Sequence, residues 1–399
     1  MNKIHSCEVC GSSQLQPVLD LGAHPMCDDL VEINSGRVCT EYPISILYCQ
    51  TCFTAHQEYQ IDKHELFPST YHYRSRHTAD VLNGMRELVS ACVETAGDLS
   101  NKKILDIGCN DGSLLSFFKA EGARTFGIEP TDAAVEARQA GHVVEQVYFS
   151  PESAESFVAA NGAADIVTFT NVFAHIEDLQ AVITALKTVT HPQSLVVIEN
   201  HYLGAILERN QFDTFYHEHP RTYSLESFRY IAAALGRRIV RAEFPHRYGG
   251  NIRVFLGDGT AVASELMNVD ESRFGEGLAA LSDKVVRWRD RKAEKIHTLV
   301  TQHGPLSGKA FPGRSAIPVK LLNLGIESVE KVHEKPSSAK IGHFIPSTRI
   351  PIVSDDDFDL NSTRPILNLA WHISSEIAGY MRQRGFNGEI VDIISPDDF

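Results

Sequence analysis

KILDIGCNDG, residues 103–112, joins a short apolar strand to a glycine-rich turn, and the apolar pattern of residues 113–118 then begins a helix. A glycine-rich turn between a strand and a helix lets a ligand approach the backbone closely. Dinucleotide-binding turns follow the pattern GxGxxG, whereas this turn carries Gly108, Asn110 and Gly112. The turn therefore predicts a cofactor site that lacks the dinucleotide pattern.

Apolar strand patterns recur at residues 124–128, 164–171 and 195–200, with helical patterns between them. This alternation predicts a doubly wound α/β sheet, in which ligands bind at the carboxyl ends of the strands. Glu129 and Pro130 end the second strand, where an acidic residue is placed to bond ribose hydroxyls. The polar residues at the predicted strand ends are Asp106, Glu129, Asn171 and Glu199. The alternative is an α/β domain whose crevice holds no ligand.

Two CxxC pairs, at residues 7–10 and 49–52, stand in turn-rich sequence near the N-terminus. Two such pairs supply the four thiolates of a structural zinc site, which leaves no open position for catalysis. The other hypothesis is a redox or free thiol pair, but a redox CxxC usually begins a helix after a strand. We therefore predict a zinc ion bound by Cys7, Cys10, Cys49 and Cys52.

The length and charge of the chain limit its partners. At 399 residues it is expected to form two or three domains. Its net charge of −14 argues against a nucleic-acid partner, because such binding relies on Lys and Arg contacts with phosphates. The sequence has no run of 18 apolar residues and no apolar signal region at its start. We expect a cytoplasmic monomer with no membrane or nucleic-acid partner.

FYHEHPRTY, residues 215–223, is the densest polar cluster of the chain. On an extended segment His217 and His219 share one face and could bind a metal, although HEH is not the helical HExxH of zinc hydrolases. A second hypothesis is that these histidines are satisfied interior residues. A third is acid–base chemistry, because imidazole titrates near neutral pH and Glu218 could orient it. His175 and His201 follow neighbouring strands of the predicted sheet.

The C-terminal part of the chain repeats the α/β pattern. Strand patterns occur at residues 329–333, 365–370 and 389–394, and helical patterns at 318–324 and 374–384. This alternation predicts a second Rossmann-like unit.

Several motifs together resemble the nucleotide-sugar 3-C-methyltransferases of deoxysugar pathways. They are the two CxxC pairs, DIGCNDG at 106–112, NVFAHI at 171–176, YHEH at 216–219 and YGGNIRV at 248–254. The resemblance spans nearly the whole chain and implies three domains, one that binds zinc and two with an α/β fold. These are a small zinc-binding domain at 1–68, a central Rossmann-like class I S-adenosylmethionine (SAM) methyltransferase domain at 69–260, and a C-terminal Rossmann-like domain at 261–399 that contributes to nucleotide-sugar binding.

The resemblance implies methylation of a dTDP-, GDP- or CDP-linked 4-keto-6-deoxyhexose, with SAM as the methyl donor. His219 would remove the C-3 proton, and the resulting enolate would take the methyl group. The other implied catalytic residues are Tyr71, His175, Tyr216 and Glu218. The implied cofactor-binding residues are Asp106, Gly108, Asn110, Gly112, Glu129, Pro130 and Asn171. The candidate substrate-binding residues are His201, Tyr202, Tyr223, Arg253, Arg314, Ser315 and Arg349.

Three questions stay open. FPGRSAIP, residues 311–318, departs from the glycine- and alanine-rich loop of the family at Pro312 and Pro318, so the diphosphate contacts stay open. O- or N-methylation of a nucleotide-linked sugar would use the same histidine without needing a ketone. A non-catalytic zinc-ribbon scaffold with a vestigial cofactor fold would bind no SAM.

Overall fold

The computed structural model describes residues 1–66, 76, 79–259 and 269–399. Over these ranges the chain folds into three packed units, which are the zinc lobe (residues 1–66), the central unit (79–259) and the C-terminal unit (269–399). Within the described ranges, no helix is both long and apolar enough to span a bilayer.

The zinc lobe is mostly antiparallel β-structure. Its elements are β1 (Asn2–Lys3), β2 (Leu15–Pro25), β3 (Val31–Glu32), β4 (Glu41–Cys49), β5 (Ala55–Gln57), β6 (Tyr59–Gln60) and α1 (Lys63–Leu66). Strand β4 pairs with both β2 and β5. Its buried residues, including Ile44 and Ile46, fix the face that packs inward.

The central unit alternates strands and helices as the sequence predicts. Its elements are α2 (Ala79–Ala96), β7 (Lys103–Ile107), α3 (Ser113–Ala120), β8 (Arg124–Ile128), α4 (Ala133–Gln139), β9 (Val143–Glu145), α5 (Pro151–Asn161), β10 (Ala164–Thr170), α6 (Leu179–Val189), β11 (Thr190–His201), α7 (Leu203–Glu208), β12 (Arg221–Thr222), α8 (Leu225–Ala234), β13 (Arg238–Glu243) and β14 (Asn251–Gly257). Strand β12 leaves this unit and pairs with β5 of the zinc lobe.

Seven of the described strands form one sheet in the order β13–β14–β11–β10–β7–β8–β9. All are parallel except β14, which is antiparallel to both of its neighbours. This is the sheet of class I SAM methyltransferases, so the predicted fold class is confirmed. Strand β14 lies in the YGGNIRV segment and the residues after it, and it pairs directly with β11.

Local sequence explains why the elements begin and end where they do. The central strands are buried on both faces, as in the adjacent residues Ile166 and Val167 of β10, which is typical of parallel sheets covered by helices. Helix α5 begins with Pro151 after Ser150, whose side chain accepts a hydrogen bond from the backbone of Ser153. The strands therefore end at one edge of the sheet, where helices begin and ligands can bind.

The C-terminal unit is a second, smaller α/β sheet. Its elements are α9 (Phe274–His303), β15 (Leu306–Lys309), α10 (Ala316–Leu321), β16 (Val329–Glu334), β17 (His343–Phe344), β18 (Ile352–Ser354), β19 (Ile366–Asn368), α11 (Ser374–Gln383) and β20 (Ile390–Asp392). Five parallel strands lie in the order β18–β16–β15–β19–β20. The strand order reverses between β15 and β19, and in such sheets a ligand crevice opens at that point.

Two hydrophobic clusters hold the three units together. One joins Ile46 of the zinc lobe, Trp288 of α9 and Leu367 of β19, all almost fully buried. The other joins zinc-lobe cysteines to the core of the central sheet, such as Phe169. The zinc lobe is therefore wedged against both of the other units.

Candidate active site

A cavity of about 740 Å³ lies where the three units meet. Its cofactor end is lined by residues at the carboxyl ends of β7, β8 and β10. Its acceptor end is lined by the loop at residues 211–222, called here the acceptor loop, together with Cys27 and Asp28 of the zinc lobe and residues 312–314 of the C-terminal unit. One continuous cavity can therefore hold a cofactor and a second molecule side by side.

The glycine-rich turn after β7 forms part of the cofactor end. Gly108, Asn110 and Gly112 all have positive φ angles, of 67°, 49° and 77°. Gly108 and Asn110 line the cavity, whereas Gly112 lies behind it. A Cβ atom on Gly112 would approach the His142 ring to 2.7 Å, so the packing of α3 and α4 against this turn requires the glycine.

Glu129, at the end of β8, is the buried carboxylate of the cofactor end. Its Oε2 accepts a hydrogen bond from the Asn110 amide at 3.0 Å, and its Oε1 accepts one from the Thr131 amide at 2.8 Å. Pro130 and Asn171 also line the cavity. A fixed carboxylate beside apolar walls fits the ribose and adenine parts of SAM.

Asp106 does not line the cavity but supports the turn from below. It is buried, and its Oδ1 accepts a hydrogen bond from the Thr168 hydroxyl at 2.6 Å. Burial raises the pKa of Asp106 to about 7. Its place is therefore in the sheet beneath the cofactor end.

Sequence reasoning missed an aromatic wall of the cofactor end, formed by Tyr148 and Phe149. These residues follow β9 and precede Ser150 and Pro151, the start signals of α5. Two aromatic residues just before a helix at a strand's carboxyl end were the available signal.

His219 lies in the acceptor loop, is 5% exposed and lines the cavity. Its Nδ1 donates a hydrogen bond to the Thr214 carbonyl at 3.1 Å. Because a carbonyl only accepts, the proton of the neutral ring is on Nδ1 and Nε2 keeps its lone pair. Burial, reinforced by His175 and His201, lowers the pKa of His219 well below 6.5, so the ring is neutral at pH 7.

Three aromatic side chains surround His219, as the sequence suggested. The ring centroids of Tyr216, His175 and His201 lie 4.1, 4.8 and 5.2 Å from that of His219. Nδ1 of His175 donates to the Glu218 carbonyl at 2.6 Å. Among the described residues, the four N-terminal cysteines are the only group of three or more potential metal ligands found together, which leaves the HEH metal hypothesis without support.

The YHEH segment is a turn and not the extended segment that would place both histidines on one face. The His219 amide donates to the Tyr216 carbonyl at 2.9 Å, which closes the turn. Nε2 of His217 donates instead to the Tyr42 carbonyl of the zinc lobe at 3.0 Å. His217 is therefore directed away from the side of the turn that His219 uses.

Glu218 lines the cavity, but the partner that fixes the His219 ring is the Thr214 carbonyl. The Glu218 side chain is buried, and its Oε2 has no hydrogen-bond partner among the described residues. Burial, with a smaller contribution from Asp28, raises the pKa of this carboxyl to about 8. The structure thus offers a protonated carboxyl at the acceptor end near neutral pH.

Several predicted substrate residues lie outside the cavity lining. Tyr202 donates to Glu271 at 2.8 Å, and buried Tyr223 accepts from Arg221 at 3.1 Å. Arg253 forms ion pairs with Glu199 at 2.7 Å and Glu243 at 2.8 Å. The remaining two are Ser315, which donates to the Leu369 carbonyl at 2.7 Å, and exposed Arg349, which lies over the Phe344 ring. Tyr71 falls outside the described residues.

Arg314 does line the acceptor end, but its guanidinium group is already paired with the Asp213 carboxylate. Its Nε and Nη2 bond the two carboxylate oxygens of Asp213 at 2.8 and 2.6 Å, and Nη2 also bonds the Thr214 hydroxyl at 2.6 Å. The indole of Trp371 donates to Asp213 at 2.8 Å. This buried pair ties the C-terminal unit to the start of the acceptor loop.

Two residues of the C-terminal unit that sequence reasoning did not identify complete the acceptor end. Lys340 donates to the Phe311 carbonyl at 2.8 Å, and its side chain is 28% exposed. His372 also lines this end, and burial lowers its pKa to about 4. Lys340 is thus a partly exposed cation beside the 312–314 loop.

The four predicted zinc ligands come together. The Sγ atoms of Cys7, Cys10, Cys49 and Cys52 all lie within 4.8 Å of one another, and two of the pairs are 3.4 and 3.5 Å apart. A tetrahedral ion with zinc–sulfur bonds of about 2.3 Å needs sulfurs about 3.8 Å apart. The sulfurs fit that requirement, and the protein's predicted structural zinc centre is confirmed.

Comparison with known proteins divides the chain in the same way. A putative zinc-binding domain matches residues 7–67, a methyltransferase domain matches 76–242, and a C-methyltransferase C-terminal domain matches 247–393. The C-methyltransferase NovU of Streptomyces niveus is 27% identical over 389 residues, covering 94% of this chain and 91% of that protein.

Two further similarities cover a smaller share of the chain. A ubiquinone biosynthesis O-methyltransferase of Thiobacillus denitrificans is 32% identical over 104 residues, covering 25% of this chain and 44% of that protein. The structure of magnesium protoporphyrin IX methyltransferase from Synechocystis PCC 6803 with bound SAM covers 45% of this chain and 80% of its own, at 17% identity and a TM-score of 0.34.

The three matched domains stand in one order along nearly the whole chain, with a four-cysteine centre and a class I methyltransferase sheet in their expected places. The chain therefore belongs to the family of SAM-dependent C-methyltransferases that carry an N-terminal zinc-binding domain and a C-methyltransferase C-terminal domain.

Proposed function

We propose that this enzyme methylates C-3 of a nucleotide-linked 4-keto-6-deoxyhexose, in the biosynthesis of a branched deoxysugar, and that His219 removes the C-3 proton. The observation that carries the proposal is the His219 ring, which lines a cavity continuous with the cofactor end and keeps a lone pair on Nε2. Bound SAM supplies an electrophilic methyl group on a sulfonium ion.

Three properties of His219 support the role of general base. It is neutral near pH 7, its Nδ1 proton is held by the Thr214 carbonyl, and Nε2 is left to accept a proton. A carbon next to a ketone can lose a proton because the enolate oxygen takes the negative charge. Methylation at carbon therefore requires a base in the enzyme and a keto group in the substrate. His219 is the residue of this cavity that fits the role of base.

The enolate oxygen needs pre-aimed hydrogen-bond donors, each worth about 3 kcal/mol in a water-excluded site. Tyr216 is such a donor, because burial raises its pKa well above 10 and keeps its hydroxyl protonated. The protonated Glu218 carboxyl is the second. The Nδ1 proton of His175 is already held by the Glu218 carbonyl, so we assign His175 to orienting the turn. Tyr71 stays a prediction.

The nucleotide end of the substrate is proposed to face the C-terminal unit. Arg314 is held by Asp213 in a buried ion pair at 2.6 Å, whereas Lys340 lies 3.8 Å from the Asp28 carboxylate and stays partly exposed. We therefore assign the diphosphate to Lys340 and the Gly313 backbone, with His201 nearer the sugar. The proposed domains are residues 1–68, 69–260 and 261–399, and each contributes to this cavity. The cofactor contacts proposed are Gly108, Asn110, Glu129, Pro130 and Asn171, with Asp106 and Gly112 supporting the turn.

Proton exchange tests the proposed reaction. The protein is incubated in deuterated water with S-adenosylhomocysteine and a 4-keto-6-deoxy nucleotide sugar, and deuterium at C-3 is followed by NMR. We expect wild-type exchange, and a loss of about 100-fold or more in His219→Ala. His217→Ala is the matched control, because that ring bonds the Tyr42 carbonyl and should retain exchange.

The same assay separates the alternative. If SAM methylates a nucleotide sugar that has no ketone, and C-3 does not exchange, the enzyme is an O- or N-methyltransferase. SAM affinity measured on each variant shows whether a loss of exchange reflects chemistry or misfolding.

A further inference from the structure

We infer that the zinc lobe positions the catalytic base, so that metal binding at the four cysteines is required for proton abstraction by His219. The inference rests on the proposed function for the role of His219, but its structural part does not. A zinc ion that only stabilised the fold would affect the whole molecule when it is lost. The inference instead predicts that metal loss disturbs the acceptor loop and not the cofactor turn.

Strand β5 of the zinc lobe holds the acceptor loop on both sides of His219. It pairs with β12, so that Arg221 stands opposite His56 and Thr222 opposite Ala55. The Gln57 amide donates to the Pro220 carbonyl at 2.8 Å. These bonds begin at the residue directly after His219.

The Gln57 side chain reaches the other side of the same turn. Its Nε2 donates to the Tyr216 carbonyl at 3.2 Å, and the Tyr216 carbonyl also accepts the His219 amide. Gln57 is 2% exposed, so these bonds form away from water. One residue of the zinc lobe therefore bonds the backbone both before and after His219.

The zinc ligands are joined to this strand through short contacts. The Cys52 carbonyl accepts from the hydroxyls of Ser224 and Ser227, at 3.1 and 3.2 Å, just beyond the acceptor loop. Nε2 of His56, in β5 itself, lies 3.3 Å from the Cys7 sulfur. Outer contacts of this kind set the orientation of metal ligands, and the coupling runs in both directions.

A buried charge pair adds a further link. Arg221, in β12, is fully buried, and its Nη1 lies 2.6 Å from Oε2 of Glu8, the residue after the zinc ligand Cys7. It also donates to the Glu177 carbonyl at 3.3 Å. Loss of the metal would release the turn at residues 7–10, and Glu8 would then no longer be fixed beside Arg221.

The cofactor turn is held by different partners. The Gly108 amide donates to the Ile128 carbonyl at 2.8 Å, and the Asn110 amide donates to Glu129. Both partners belong to the central unit. Metal loss should therefore disturb the acceptor end much more than the glycine-rich turn.

Hydrogen–deuterium exchange of backbone amides tests the structural part on the full chain, with its metal bound and after treatment with a strong chelator. We expect faster exchange in residues 7–10, 49–57 and 215–222, with unchanged exchange in 103–112 and 124–130. If the acceptor loop keeps its protection after the metal has left, the inference is wrong. It is equally wrong if the central unit unfolds together with the loop.

Gln57→Leu tests the positioning role with the metal in place. We expect C-3 proton exchange to fall about tenfold, because small displacements of a reacting group are costly, while SAM affinity changes by less than about twofold. Gln50→Leu is the matched control, since the exposed Gln50 side chain donates a hydrogen bond to Gln16 within the same lobe, at 2.8 Å. Equal rates in the two variants would overturn the inference.

The two readouts also separate this inference from the proposed function. A wild-type enzyme that shows no C-3 exchange would refute the function, whereas amide exchange in the acceptor loop would still report on the zinc lobe.

Discussion

At the scale of residues, the orientation of each imidazole at the acceptor end depends on the backbone carbonyl to which it donates a hydrogen bond. His219 and His217 stand two positions apart, yet one bonds Thr214 within the acceptor loop and the other bonds Tyr42 of the zinc lobe. The four cysteines were predictable because CxxC spacing fixes their geometry locally. The role of Glu218 was not, because its neighbours are brought in by the turn and by Asp28.

Glu218 makes stability depend on pH. Its folded pKa of about 8 exceeds the unfolded value, so the folded state keeps the proton that the unfolded chain loses. The contribution is neutral below about pH 4.5 and becomes destabilising as pH rises towards 8, by up to about 4 kcal/mol. We expect Glu218→Gln to gain stability over wild type at pH 8 and little at pH 5, measured by urea unfolding. An equal difference at both pH values would contradict this.

At the scale of elements, strand patterns were sufficient to predict several strands of both sheets, because buried parallel strands such as β7 and β10 are rich in apolar residues. Side-chain partners were harder to predict. Tyr202 and Arg253 were predicted to bind substrate, but Glu271 and Glu199 pair with them away from the cavity. Such pairs form between distant parts of the chain, so no local spacing of residues predicts them.

The turn after β7 should not tolerate a side chain at Gly112. Gly112→Ala combines a positive φ angle with a Cβ contact of 2.7 Å to His142, and we expect a loss of about 2–4 kcal/mol in unfolding free energy. Gly97→Ala is the control, because φ there is 75° and nothing lies within 4 Å of the added Cβ. The control should lose about 1 kcal/mol. Equal losses in urea unfolding would show that the contact with His142 is unimportant.

Substitutions at Arg314 and at Lys340 are expected to change different steady-state constants, kcat for the first and KM for the second. Arg314→Lys keeps the charge but loses the two-pronged contact with Asp213, so kcat should fall at least about tenfold with a small change in KM for the nucleotide sugar. Lys340→Met should raise that KM with a small change in kcat, because it removes a phosphate contact. The reverse pattern would return Arg314 to the role of phosphate ligand.

At the scale of the whole molecule, the cavity exists only because three units close around it. Cys27 and Asp28 reach it from the zinc lobe, and Lys340 and His372 from the C-terminal unit. None of these was predicted, because their contribution depends on how the units pack. The order of the domains was predictable, since each has its own motif.

Trp288 is expected to couple the units. It is fully buried in α9, its ring centroid lies 4.7 Å from that of Phe212 in the acceptor loop, and its indole donates to the Ile393 carbonyl at 3.1 Å. Trp288→Ala should cost about 3–5 kcal/mol and also lower C-3 exchange. Calorimetry and the exchange assay measure the two effects. Loss of stability with normal exchange would mean that the core and the acceptor loop are independent.

The most direct test of the central claim is a crystal structure with S-adenosylhomocysteine and the nucleotide keto-sugar bound. The account predicts Nε2 of His219 about 3–3.5 Å from C-3 of the sugar, with the sulfur directed at that same carbon. A complex in which C-3 lies far from His219, or in which a sugar hydroxyl or amine faces the sulfur instead, would contradict it.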